Sequence, residues 1–219
     1  MIRTRPLTPF HAALAPGMLV TALALVMLAS APETARAAAA DKTAAKAAEK
    51  KSDPAHDAMM AEMMKLATPG AKHGALRALQ GTWKTVTKSW DGPGEPTITE
   101  GTSEHRMVMG GRYLEQRMKG TVWGQPFEGY GLTGYDNRKN EYVVMWVDNT
   151  TTWITTGSGH MDEAGKELIV KASDLGPDGK PVEYRMVTRL VDANRHVFSM
   201  STIAAGQEQL IMEITYTRM

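Results

Sequence analysis

The stretch "HDAMMAEMM", His56 to Met64, holds four thioethers and an imidazole within nine residues, in a chain that has no cysteine. Thioethers are the ligands that soft Cu(I) selects. His56, Met59 and Met63 recur at three- and four-residue spacing, so a helix would bring them to one side. The same spacing, continued by Met60, Met64 and Leu66, also describes an apolar stripe of the kind that packs a helix on a core, with methionine as a flexible filler. Packing on a barrel is the expected role and no metal is assigned. A Cu(I) site at His56, Met59 and Met63 stands as the alternative.

Other chemistry-bearing patterns lack the context their mechanisms require. "GYGLTG" at residues 129–134 fits G-x-G-x-x-G, but a polar turn and a further strand pattern follow it, where a dinucleotide site needs a helix N-terminus to face the pyrophosphate. "TGSGH" around Ser158 lacks the glycine two residues before the serine that a nucleophile elbow requires. Asp162, Glu163 and Asp178 fall in turn segments, where carboxylates form turns rather than an acid/base pair. His56, His73, His105, His160 and His196 form no close ligand pair such as H-E-x-x-H, so no zinc site is signalled. His105 and His196 lie in strand patterns and are candidates to face an interior.

The segments that would position these residues begin with a leader. Arg3 and Arg5 precede an apolar run from Met18 to Ala29, and "ARA" at residues 35–37 supplies a small-x-small cleavage pattern. A run of twelve residues is too short to span a bilayer, which needs about 20. Export with cleavage of residues 1–37 is therefore expected, to the periplasm or beyond. No cysteine offers a lipid attachment point and no twin-arginine pair is present. Cleavage takes away three basic residues (Arg3, Arg5 and Arg36) and one acidic residue (Glu33), so 25 and 24 become 22 and 23. A nearly neutral chain lacks the basic excess of a nucleic-acid or anionic-membrane binder. Without disulfides, the fold must rest on its core.

Residues 38–52, rich in alanine and lysine, cannot bury enough surface to offset their ordering entropy and are expected to form a disordered tether. Residues 53–80 form a helical segment. Asp53-Pro54 starts a helix, Thr68-Pro69-Gly70 stops it, and a second short helix covers His73 to Leu79. Residues 81–219 consist of ten short runs separated by turn residues, among them Gly110-Gly111, "DNRKN", "DEAGK" and "PDGK". That pattern predicts a mainly β chain, an antiparallel up-and-down barrel of about ten strands preceded by one or two short helices. Closure removes the two exposed edges of an open sheet. Gly129, Gly131 and Gly134 within one run mark a sharp bend or a close backbone approach.

Period-two alternation assigns the inward face. With Trp83 inward, Thr85 and Thr87 follow it. The charged residues of each run mark the outside, which places Leu114, Met118, Met200, Leu210, Ile214 and Tyr216 inward. The same rule makes Phe127, Tyr142, Trp146, Tyr184, Met186, Phe198 and Met212 the candidate ligand-binding residues of an apolar pocket. The alternative is a barrel filled by these same side chains.

Two resemblances bear on this reading. Gly81-Thr82-Trp83 opens the first strand and Arg218 ends the last, which resembles the lipocalin-type G-x-W tryptophan packed under an arginine at the closed end of a barrel. Trp83 and Arg218 are thus the expected closure pair. The stretches "KLATPGAKHGALRALQGTW", "MGGRYL", "GQPFEGYGLTGYDNRKNEYVVMWVD" and "MEITYTR" resemble a bacterial family, domain of unknown function fifteen seventy-nine. That resemblance implies a lipocalin-like (calycin-type) barrel over residues 60 to 219 and carries over no catalytic residue. The fold is also similar to nitrobindin-like barrels, in which one histidine suffices to hold haem.

The leading expectation is an exported protein, with no catalytic motif and no cofactor, that binds a small, mainly apolar molecule in the barrel lumen. A structural or protein-interaction barrel with a filled core is the second. A haem, Cu(I) or enzymatic site is the third. No nucleic acid and no stable membrane insertion after cleavage are expected.

Overall fold

The computed structural model of the 219-residue chain describes residues 53–176, 179–204 and 206–219. The expected leader at residues 1–37, the expected tether at 38–52 and Asp178 lie outside the described residues. Residues Met59–Met219 form one compact unit.

Asp53 and Pro54 open helix α1 (Pro54–Ala67). The Asp53 carboxylate accepts the Ala55 N–H at 3.0 Å and so satisfies an amide that the first turn leaves without a helical partner. Pro54 fits the first position because its missing N–H would have been another such donor. At the far end the Thr68 hydroxyl donates to the Met64 carbonyl at 2.6 Å, just before Pro69. The packing expected of the methionine stripe is not found. α1 buries no residue, and Met59, Met60, Met63 and Met64 are between 42% and 65% exposed. The helix is held by its end instead: Asn137 Nδ2 donates to the Leu66 and Thr68 carbonyls at 2.8 and 3.1 Å, and Arg112 Nη2 to the Ala67 carbonyl at 2.8 Å.

Helix α2 (Ala71–Ala75) and a 3-10 turn (Leu76–Leu79) follow. His73 reaches back to accept the Gly70 N–H at 3.1 Å, which caps α2. Leu76 is completely buried and Leu79 nearly so; with Leu114, Tyr142, Leu168 and Val170 they form an apolar cluster. Burying a leucine stabilises the fold by roughly 1.5–3 kcal/mol, so this short segment acts as a plug at one end of the barrel.

Ten strands complete the chain: β1 (Gly81–Ser89), β2 (Thr97–Val108), β3 (Tyr113–Val122), β4 (Gln125–Asp136), β5 (Glu141–Asp148), β6 (Thr155–Met161), β7 (Glu167–Leu175), β8 (Pro181–Asp192), β9 (Arg195–Ala204) and β10 (Gln207–Arg218). Each pairs antiparallel with its chain neighbours, and β1 pairs with β10, so the sheet is a closed barrel without a free edge. Odd-numbered strands run from the plugged end, where β1 begins at Gly81 beside Leu79, to the opposite, open end.

Closure at the plugged end depends on three residue types. Arg218 is the register partner of Trp83, and its guanidinium carbon lies 4.1 Å from the Trp83 ring centroid. The guanidinium also donates to the Gln80 carbonyl at 2.7 Å and the Ala193 carbonyl at 2.9 Å. Gly81 leaves the room this requires, since a β-carbon there would sit 2.2 Å from Arg218 Nη1, on a backbone whose φ is +139°. The glycine, the tryptophan and the arginine therefore each have a separate steric reason.

Candidate functional site

Alternation along the strands builds a lumen above the plug, and it contains a cavity of about 580 Å³. Phe127, Trp146, Tyr184, Met186, Phe198 and Met212 all line it. Tyr142, the seventh candidate, does not. It points inward but too low: it is 1% exposed within the plug cluster, and its hydroxyl donates to the Lys72 carbonyl at 2.9 Å. Leu210 also departs from expectation. The β9–β10 register shifts between Leu210 and Met212, which leaves Leu210 38% exposed and brings Ile211 to the cavity.

The glycines of β4 prove to be seats for aromatic rings. A β-carbon at Gly129 would lie 2.3 Å from Trp146 Cζ2, one at Gly131 3.0 Å from Trp146 Cε3, and one at Gly134 2.6 Å from Tyr113 Cδ1. The bare backbone of Gly129 and Gly131 therefore lets the Trp146 indole lie against the wall. Its Nε1 donates to Asp148 Oδ2 at 2.9 Å, and Asp148 Oδ1 accepts from the Thr150 amide and hydroxyl at 2.9 and 2.6 Å. Burial disfavours the charged form of Asp148, but hydrogen bonds from Thr150, Trp146 and Thr151 outweigh it and hold this carboxyl below its usual range. β4 passes through a tight turn into β5 with no helix between, so "GYGLTG" has no phosphate-binding geometry.

The lumen floor is polar and closely interlocked. The Leu79 carbonyl accepts from Trp83 Nε1 at 3.0 Å and faces His105 Nδ1 at 3.1 Å. A carbonyl only accepts, so His105 carries its proton on Nδ1 and its Nε2 accepts from the Ser103 hydroxyl at 2.9 Å. Gln116 Nε2 donates to Ser103 Oγ at 3.3 Å and to Tyr216 Oη at 3.1 Å. His196 stacks on Tyr216, with centroids 4.2 Å apart, and meets Trp83 edge-on at 4.4 Å. Burial lowers His105 to about 4 and His196 to about 3, and it pushes Tyr216 up to about 12. The floor is thus uncharged at neutral pH.

The chemistry open to these groups is narrow. Ser103 and His105 have the bond of a nucleophile and its base, but Ser103 does not line the cavity and its oxygen is engaged by His105 and Gln116, so it is not presented to a molecule in the lumen. Both His105 nitrogens are engaged, and His196 is boxed between Trp83 and Tyr216; neither fits a haem iron without rearrangement. Among the described residues no three His, Cys, Asp or Glu side chains converge to hold a metal ion. His56, Met59 and Met63 all lie exposed on α1. Two buried atoms, Thr85 Oγ1 and His196 Nδ1, have no hydrogen-bond partner, and both residues line the cavity.

Sequence reasoning missed the open end. Trp90, Trp123 and Trp153 line the cavity there, together with Asp91, Asp148 and Asp174. Asp148 and Asp174 share the inward parity of Trp146 and Ala172, two positions before each, whereas Asp91 lies two residues past the end of β1. Counting parity to the strand ends would have found the first two.

No curated protein matches the chain. The crystal structure of Rv2717c from M. tuberculosis is similar with a TM-score of 0.50 at 18% identity, over 69% of this chain and 99% of that one. A redesigned β-barrel is similar with a TM-score of 0.37 at 15% identity, over 66% of this chain and 95% of that one. At 18% identity the likeness to Rv2717c is one of fold alone. The family model of DUF1579, described as a protein of unknown function, matches residues 68–218, from the turn after α1 to the arginine that closes β10, and the chain belongs to that family.

Proposed function

We propose that the protein is a binding barrel that holds a small, mainly apolar molecule in its lumen. The observation that carries this reading is the cavity. About 580 Å³ lies within the roughly 300–1,000 Å³ usual for small-molecule sites, and its wall combines aromatic and methionine side chains with a few hydroxyls. A barrel filled by its own side chains would leave no such volume. The unpartnered Thr85 hydroxyl supports the reading further, because a buried hydroxyl without a partner costs about 1–3 kcal/mol that a ligand's polar atom would recover. Export to the periplasm belongs to the same proposal and is supported by the leader pattern of residues 1–37.

Native mass spectrometry of the protein purified from the periplasm without refolding tests both parts. The expected result is a polypeptide beginning near residue 38 that carries an organic mass released on denaturation. A chain that retains residues 1–37 and fractionates with the cytoplasm would overturn the export proposal. A bare polypeptide that also fails to bind any apolar probe would overturn the carrier proposal.

A further inference from the structure

The open end of the cavity differs from its floor in charge and in ring content. Of the five tryptophans in the sequence, Trp90, Trp123, Trp146 and Trp153 line the cavity, and only Trp83 lies in the floor. Asp91 follows β1, Asp148 ends β5 and Asp174 lies one residue before the end of β7. These three strands run in one direction, so all three carboxylates reach the same end, where all three border the cavity. Glu100 also borders the cavity, but its carboxylate is paired with Lys84 at 2.9 Å.

Neither lysine nor arginine is among the described residues that line the cavity. The basic side chains near this end, Lys88, Lys119 and Arg185, pair with Glu213, Glu128 and Glu208. None of these three pairs with Asp91, Asp148 or Asp174, and Lys180, which precedes β8, is engaged as well. Asp174 is close enough to Tyr184 for its charge to act on that phenol inside the lumen.

The turn between β3 and β4 carries a further mark. It is the two-residue loop Trp123-Gly124, with φ of +51° and +72°. Asparagine or glycine is the usual residue at that first position, because a bulky side chain is strained there. Here the strained residue is a tryptophan, 79% exposed at the rim of an apolar cavity. At the deep end of the same cavity Thr85, which is completely buried, keeps its hydroxyl without a partner.

We infer that the lumen ligand is a hydrophobic organic cation, an ammonium or amidinium group on an apolar body, with its charge held at the open end among Trp90, Trp146 and Trp153 and the carboxylates of Asp91, Asp148 and Asp174. Indole faces attract cations through their quadrupole, and the attraction is strongest for tryptophan. Aligned carboxylates add a long-range field that repels fatty-acid and other anionic amphiphiles. A metal ion does not fit, because no three candidate ligands converge among the described residues. Spread charge of this kind suits a large, weakly hydrated cation. The inference rests on the lumen-binding proposal and adds the sign of the ligand's charge to it.

Three probes with one tail test it: octyltrimethylammonium, octanol and octanoate, titrated below their micellar concentrations into the full chain and followed by calorimetry and tryptophan fluorescence. The ammonium probe should bind about tenfold more tightly than octanol, and octanoate more weakly than either. Asp91→Asn/Asp174→Asn should reduce the ratio of ammonium to octanol affinity towards one. Equal affinity for octanol and the ammonium probe, or tightest binding of octanoate, would overturn the charge assignment and leave the lumen proposal standing. Binding of none of the three would overturn the lumen proposal and this inference with it.

Discussion

The Trp146 indole lies against Gly131, its register partner across β4 and β5, and crosses Gly129, where a β-carbon would sit 2.3 Å from Cζ2 and has no room. The ring is consequently part of the cavity wall rather than a plug in the cavity centre, and the glycines are selected by the ring. Trp146→Ala should therefore weaken binding of an apolar probe such as octanol by about tenfold while lowering stability by less than Trp83→Ala. Gly129→Ala should do the same indirectly, by driving the indole into the lumen. The check is calorimetric titration beside urea unfolding of the same samples. Equal loss of stability in Trp83→Ala and Trp146→Ala would refute the separation of wall from closure.

Trp83 carries a different load. It is 1% exposed, donates to the Leu79 carbonyl and supports the Arg218 guanidinium on its face. Trp83→Ala should cost roughly 3–5 kcal/mol, because it removes a large buried ring and strands the groups packed on it. Chemical denaturation gives the number, and a loss below about 1 kcal/mol would mean that the plug closes without it.

The histidine floor predicts how stability follows pH. His105 and His196 are lowered from 6.5 to about 4 and about 3, mainly by burial. Below pH 6.5 the unfolded chain takes up protons that the folded barrel refuses, so stability is complete above that value and falls as the pH drops. The slope approaches about 1.4 kcal/mol per pH unit for each histidine, until His105 titrates in the fold near 4 and His196 near 3. Glu115, held at about 2 by hydrogen bonds from Arg106 and Arg117, adds a separate loss that begins only below its ordinary 4.5. Urea midpoints at pH 7 and 5 measure the histidine effect alone. His196→Phe should remove about half of that dependence, His105 supplying the rest, and a flat wild-type profile would show that the histidines are solvated.

The exposed methionines of α1 contrast with the leucines of the plug. Met59→Ser/Met63→Ser should change stability by no more than about 0.5 kcal/mol, as surface substitutions do, whereas Leu76→Ala should cost about 2–5 kcal/mol. Comparable losses in the two variants would mean that α1 packs in solution after all.

The barrel was legible because period-two alternation and turn residues repeat ten times, so an error in one run does not change the whole. The closure pair was legible because Gly81, Trp83 and Arg218 form a pattern anchored at both ends of the sheet. The lumen was legible where outward charges marked parity, and it failed where that rule met its exceptions. Asp148 and Asp174 are charged and inward, since strand ends at an open mouth are wet and tolerate a carboxylate on the inner face. Leu210 failed because a register shift leaves no trace in hydropathy. The methionine helix failed for another reason: an apolar stripe states what a helix can bury, whereas α1 is attached by hydrogen bonds to its last carbonyls, which any sequence possesses.

Thr85 links stability to function most directly. Its side chain is fully buried, its hydroxyl has no partner, and it lines the cavity. Valine has nearly the same shape without the hydroxyl, so Thr85→Val removes an unsatisfied polar atom and should stabilise the empty barrel by about 1 kcal/mol. Under the lumen-binding proposal, a ligand whose polar atom reaches this hydroxyl would lose that hydrogen bond in the variant, so the same substitution should weaken such a ligand by about 1 kcal/mol relative to octanol, whose single hydroxyl can stay in water at the open end. Thermal unfolding with and without ligand separates the two effects. A variant that is less stable when empty would mean that the hydroxyl is satisfied by an internal water, and the threonine would then belong to the floor rather than to the binding site.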